Sequence, residues 1–200
     1  MSEHDPTTPE TGERAPEPSP RIYVASLSDY NAGRLHGEWI DANQEPDAIH
    51  AEITRMLNAS TEPVAEEFAI HDHDGFGSHV NVDEYDSIER VSLLAGGIAE
   101  HGDAFGAWWS VSEPALSFRE ELDAAFEDQY RGEWESVATY AEQLLDDMGA
   151  TEALRSIPDW LQGHITLDVE GFARDLELSG DIRTADAGFG RVFVFDRDWA

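Results

Sequence analysis

A chain of 200 residues with 43 Asp and Glu against 12 basic residues carries a formal net charge of −31, and every basic residue is arginine. Such self-repulsion contributes nothing to a fold, so the excess answers either to the solvent or to a strongly cationic partner, and it excludes nucleic acid as a ligand. With 40% hydrophobic residues, six Trp and no Cys, the chain can build cores in one to three small domains, whereas disulfides, thiolate metal sites and cysteine nucleophiles are excluded.

Met1 to Pro20 is rich in Pro, Thr and Glu and nearly devoid of apolar side chains, which predicts a disordered acidic tail. It has neither the basic nor the apolar region of a signal peptide. No apolar run approaches the roughly 18 residues of a membrane span. A soluble, cytoplasmic protein without membrane association is expected.

Folding starts at Arg21. Ile22 to Leu27 reads as a strand, Asp29 to Gly33 as a loop, and Arg34 to Ile40 as a second strand ending at Asp41. Pro46 opens an amphipathic helix carried by Ile49, Ile53, Met56 and Leu57 and closed near Asn58. Glu67 to His71 supplies a third strand, and the bend at Asp74-Gly75-Phe76-Gly77 ends this first module. From Val80 the pattern turns helical, with Asp86 or Ser87 capping a helix through Ile88, Val91, Leu93, Leu94 and Ile98 to about Gly102.

Two further helices carry the chemistry. Over Phe118 to Tyr130, Phe118, Leu122, Ala125, Phe126 and Tyr130 share one face, and Glu120, Glu121, Asp123, Glu127 and Asp128 fill the other. Over Ser136 to Met148 the stripe is Val137, Tyr140, Ala141, Leu144, Leu145 and Met148, with Gly149 placed just past the helix end. Asp146 and Asp147 fall in its last turn, where the helix dipole disfavours a carboxylate. Ile165 to Trp199 reads as a helix through Val169, Phe172 and Leu176, then strands near Ile182 and over Arg191 to Phe195. The class is α+β, divided as a tail over 1–20, a sheet-plus-helix domain over 21–78, a helical middle domain over 79–125 and an α+β C-terminal domain over 126–200.

Catalytic and metal signatures are weak. His71-Asp72-His73-Asp74 has ligand residue types but no third ligand at a set spacing, and a solvated strand end explains it better. Gly96-Gly97 lacks the preceding strand and the Lys of a phosphate cradle, so close helix packing is the simpler account. The carboxylate pairs lie on polar faces rather than in apolar pockets that would split their pKa values. No enzyme, metal or cofactor is expected, and the Trp residues belong to cores.

The charge is uneven. Residues 61–150 hold 22 acids against Arg90, Arg119 and Arg131, a net of −19, whereas 21–60 carry −3 and 151–200 carry −5. Duplex DNA displays about one negative charge per 1.7 Å, and a helix rises about 1.5 Å per residue, so carboxylates every few positions approach a phosphate row. Without residues 1–20, which carry −4, the chain holds −27. Two copies match on the order of 27 base pairs by charge.

Particular residues also point to a family. Ile22-Tyr23-Val24-Ala25-Ser26-Leu27 followed by Tyr30-Asn31-x-Gly33-Arg34-Leu35-His36-Gly37-x-Trp39-Ile40-Asp41 resembles the opening of ArdA-type antirestriction proteins. The resemblance continues at Glu67 to Asp72, at Phe126 to Trp134 and at Val192 to Phe195, and so covers about residues 21 to 196. It implies an elongated, curved protein of three small domains, a homodimer through its C-terminal part, whose carboxylates imitate DNA phosphates in the DNA-binding groove of type I restriction-modification enzymes. Such proteins are carried by mobile genetic elements. Helix-face placement assigns the phosphate-mimic role to Glu120, Glu121, Asp123, Glu127, Asp128, Glu133, Glu135, Glu142, Asp146 and Asp147. Tyr30, Gly33, Gly37 and Trp39 read as structural, with glycines for tight turns and Trp39 filling the first core. Two other accounts fit the composition: salt adaptation of an unrelated domain, and an acidic chaperone of basic proteins.

Overall fold

The computed structural model describes residues 19–115 and 118–197. The expected tail, up to residue 18, and Trp199 lie outside the described residues. The architecture is α+β, with two three-stranded antiparallel sheets and intervening helices. No helix among the described residues is long and apolar enough to cross a membrane.

The first sheet comprises β1 (Arg21–Ser26), β2 (Gly37–Asp41) and β3 (Phe68–Asp74) in the order β2-β1-β3. Strand alternation sends Ile22, Val24 and Ile40 inward, where Ile49, Ile53 and Met56 of the helix Pro46–Asn58 cover them. The same alternation corrects the expectation for Trp39. Its neighbour Ile40 faces the core, so Trp39 lies on the outer face, 41% exposed, 5.6 Å from the Tyr23 ring and 4.7 Å from the Arg21 guanidinium. The second strand starts at Gly37 rather than Arg34. Much of the expected Asp29–Gly33 loop belongs to a short helix, α1 (Leu27–Asn31), capped by the Ser26 side chain. Gly33 makes the turn at φ +76, whereas Gly37 is required by crowding, since a Cβ there would strike the Val24 carbonyl. The helix Pro46–Asn58 is α2.

Next come α3 (Ile88–His101) and α4 (Asp103–Ser112), joined at Gly102 with φ 69. The Ser87 hydroxyl caps α3 by accepting from the Arg90 amide at 3.2 Å. Gly97 is a close-packing glycine, because a Cβ there would overlap the Phe105 ring. α4 has no counterpart in the sequence reading: Ala104 to Trp109 are all buried, so it shows no polar face. Trp108 keeps its indole N–H satisfied by donating to Gln129 Oε1 at 2.8 Å.

The remainder is α5 (Arg119–Gln129), β4 (Tyr130–Trp134), α6 (Val137–Asp147), α7 (Ala150–Arg155), α8 (Asp159–Gln162), α9 (Val169–Ser179), β5 (Ile182–Gly188) and β6 (Arg191–Asp196). The second sheet has the order β4-β6-β5. Its central strand β6 is buried on both faces, which is why Val192 to Phe195 is continuously apolar. Phe193 and Phe195 join the large core that runs through the first sheet and α2 to α5. Val194 and Ile182 face the other way, onto Tyr140 and Ala141 of α6 and Ala173 and Leu176 of α9.

Candidate functional site

The acidic surface is built on three consecutive elements. Leu122 and Phe126, four residues apart, anchor α5 in the core, and this turns Glu120, Glu121, Glu127 and Asp128 to solvent. Glu120 with Glu127 and Glu121 with Asp128 are seven positions apart, about two turns, so all four share one side around the exposed Ala124. The eight residue steps from Glu120 to Asp128 span about 12 Å, with the four charges in two adjacent pairs about two turns apart, an average density comparable to the roughly 3.4 Å per charge along one DNA strand. The apolar face is shorter than the sequence suggests. Phe118 caps the helix at 75% exposure, and Tyr130 already belongs to β4.

Along β4, alternation places Arg131 and Glu133 outward, with Glu135 exposed just beyond the strand. Glu133 accepts from Arg191 Nε at 2.9 Å, and Arg131 donates to Asp196 at 2.6 Å. The Ser136 hydroxyl then caps α6, accepting from the Thr139 amide at 3.1 Å. With Tyr140 and Ala141 buried, Glu142 and Asp146, one turn apart, face solvent, and Asp147 accepts from Gln143 at 2.9 Å. Gly149 takes φ 81 beyond the helix end, as its position predicts, but Met148 is 70% exposed instead of joining the stripe.

The few arginines leave most of this surface uncompensated, as they do many carboxylates elsewhere among the described residues. Seven of the eleven arginines among the described residues form ion pairs. None of these pairs involves Glu120, Glu121, Glu127, Asp128, Glu135, Glu142, Asp146 or Asp147, so among the described residues these carboxylates have no arginine counter-charge. Glu127 and Asp128 close α5, and Asp146 and Asp147 close α6, with no basic residue in either last turn. Each position opposes the helix dipole by about 0.3–1 kcal/mol.

Asp123 behaves differently. Its carboxylate takes Arg119 Nε at 2.7 Å and lies 3.2 Å from His101 Nε2 on α3, while Arg119 Nη2 reaches Glu100 at 2.9 Å and the Gly96 carbonyl at 2.6 Å. Glu100, His101 and Asp123 form the trio with metal-ligand spacing among the described residues. The Arg119 guanidinium already supplies the cation to both carboxylates, so the trio is an α3–α5 clamp. Arg119 and Asp123 have helical i,i+4 spacing, whereas the contacts to Glu100, His101 and the Gly96 carbonyl are tertiary and leave no spacing signal in the sequence. The His71-Asp72-His73 stretch instead packs its rings on neighbours, His71 edge-on to Tyr30 at 5.0 Å and His73 to Phe76 at 5.7 Å.

Two tyrosines tie β4 and α6 into the cores. Burial, reinforced by Glu133, pushes the Tyr130 hydroxyl above its ordinary pKa. Burial and Asp196 do the same for Tyr140. Both rings therefore stay neutral in the cores.

The family model described as Antirestriction protein (ArdA) matches residues 22–191. No curated protein sequence matches the chain. The family match begins in β1, runs through the first sheet to the start of β6 and includes every carboxylate of α5, β4 and α6 named above; the chain belongs to the ArdA family of antirestriction proteins.

Proposed function

We infer that this antirestriction protein works by DNA mimicry: it occupies the DNA-binding groove of a type I restriction-modification enzyme, with exposed carboxylates standing where phosphates would lie. The observation that carries this reading is the unpaired set on α5 and α6 together with Glu135, in a molecule whose arginines are mostly neutralised elsewhere. A groove lined with Lys and Arg to hold a duplex attracts such a face through the same counterion-dependent interaction. Glu133 stands beside the set with its charge shared with Arg191, and Asp123 serves the fold rather than the partner. The mechanism is occupation, and it requires no bond-making step.

The working form is a homodimer joined through the C-terminal part. Residues 150–168 include Leu154, Ile157, Trp160, Leu161, Ile165 and Leu167, yet none of them is buried in the single chain. Six solvent-accessible apolar side chains gathered in one short segment are what a protein contact uses. Two joined copies lengthen the acidic surface into an extended, curved ribbon. Sedimentation tests the dimer, and Trp160→Glu should give a monomer.

Displacement tests the function. A type I methyltransferase loaded with labelled duplex should release it at a near-stoichiometric ratio of this protein, and more readily at low salt. Release that fails, with histone or lysozyme bound equally well, would support a chaperone of basic proteins. Unfolding at low salt without any displacement would support salt adaptation.

A further inference from the structure

The β5–β6 hairpin closes on the pair Gly188↔Arg191, leaving Phe189 and Gly190 as a two-residue loop. Both have positive φ, +54 and +78. A tight turn with two such residues takes Asn-Gly, Asp-Gly or Gly-Gly, because a bulky side chain is strained there. Phe189 breaks that rule and gains nothing for it within the chain: it is 98% exposed, and no ring among the described residues packs on it. Phe189 stands at the edge of an open cleft of about 910 Å³ lined also by Tyr130, His101 and Phe193, yet its ring is not buried there. The stalk is also fixed. Asp186 Oδ1 accepts from the Gly188 amide at 3.0 Å, and Arg191, next after the loop, is held by Glu133 at 2.9 Å.

The register places this ring relative to the acidic strip. Val192 lies opposite Trp134 and Phe193 opposite Glu133, so the tip extends past the end of β4, where Glu135 leads into α6. A planar ring on a stiff stalk beside a row of carboxylates has the layout of a base swung out beside its phosphates. Methyltransferases extract their target base from the duplex into a pocket that stacks it between aromatic or apolar side chains. We propose that Phe189 is a surrogate for that extruded base and enters the base-accepting pocket of the methyltransferase component of the target enzyme. The inference rests on the DNA-mimic reading above. Phe189 supplies stacking and apolar burial alone, since its ring carries no hydrogen-bonding edge, and it anchors a contact otherwise made of charges.

The test is a double-mutant cycle using the full chain and an intact type I methyltransferase. Phe189→Asn suits the turn better, so its unfolding midpoint should rise by a few degrees while its affinity for the enzyme falls by about tenfold. Against a methyltransferase whose base-stacking aromatic is replaced by Ala, the wild-type chain should lose about the same factor, and F189N should then lose nothing further. Undiminished binding by F189N overturns the proposal. So does an equal loss on both enzymes, which would put the tip against another surface or a second copy. Either result leaves DNA mimicry standing, whereas a wild-type chain that does not bind the enzyme overturns both readings.

Discussion

Arg119 and Asp123, one turn apart on α5, are locked together with Nε 2.7 Å from the carboxylate, and Arg119 also reaches the carbonyl of Gly96 on α3. The pair fixes the rotation of α5 about its axis and so decides which carboxylates face out. Asp123→Asn should lower stability by about 1–3 kcal/mol, because Arg119 and His101 lose a charged partner in a mostly buried setting. Inhibition by the molecules that remain folded should be unchanged. Denaturant unfolding and a displacement titration on one sample separate the two effects, and weakened inhibition without destabilisation would return Asp123 to the contact surface.

Ala124 occupies the gap at the centre of the four-carboxylate face of α5. Ala124→Glu adds a fifth charge with like-charge neighbours three and four residues away, which should lower stability by about 1 kcal/mol. If the face meets a cationic groove, affinity for the methyltransferase should rise by about threefold, in keeping with an exposed ion pair. Weaker binding by this variant would argue that α5 turns away from the partner.

At Gly97 the Phe105 ring occupies the space a methyl group would need. Gly→Ala within a helix ordinarily stabilises by about 0.5–1 kcal/mol. Here overpacking against Phe105 should reverse the sign and cost about 1–3 kcal/mol. A thermal melt decides it, and a raised midpoint would mean that the α3–α4 contact gives way easily.

Asp29 is a buried carboxylate held below its ordinary pKa, first by the hydrogen bond from Ser60 at 2.5 Å and then by Ser26 and Arg34, against an opposing desolvation. A lowered folded-state pKa contributes stability that is complete above the unfolded value of about 4 and is lost as pH falls through the folded value. Ser60→Ala removes the largest cause. The stability gap between wild type and S60A should be widest at neutral pH and close as the solution is acidified. A gap that stays constant through the carboxylate range would show that Ser60 acts by packing alone.

The strongly periodic parts of the chain were legible in its sequence. α2, α3, α6 and α9 follow from their apolar spacing and caps, and the doubly buried β6 follows from its unbroken Val-Phe run. α4 was hidden because burial on every side leaves no polar face to mark the period. β4 begins at the residue after α5 ends, so Tyr130 passed as helical. Trp39 misled because size suggests burial, while the neighbouring Ile40 decides which face of β2 is inside. The outward carboxylates were readable as the polar side of helix patterns. The inward turn of Asp123 was not, because its i,i+4 spacing from Arg119 does not reveal that the pair reaches His101, Glu100 and Gly96 on another helix, and Phe189 gave no signal until the turn geometry was known.

The central claim is that uncompensated carboxylates stand in for phosphates, and the direct measurement is displacement of duplex from a type I methyltransferase by a variant neutral at Glu127, Asp128, Asp146 and Asp147. Each of these opposes a helix dipole, so the fourfold Gln/Asn replacement should hold or raise the unfolding free energy by about 1–2 kcal/mol. The account predicts that displacement weakens by about tenfold or more and becomes less sensitive to salt. A variant equally stable and equally effective, with the salt dependence of the wild type, would contradict it.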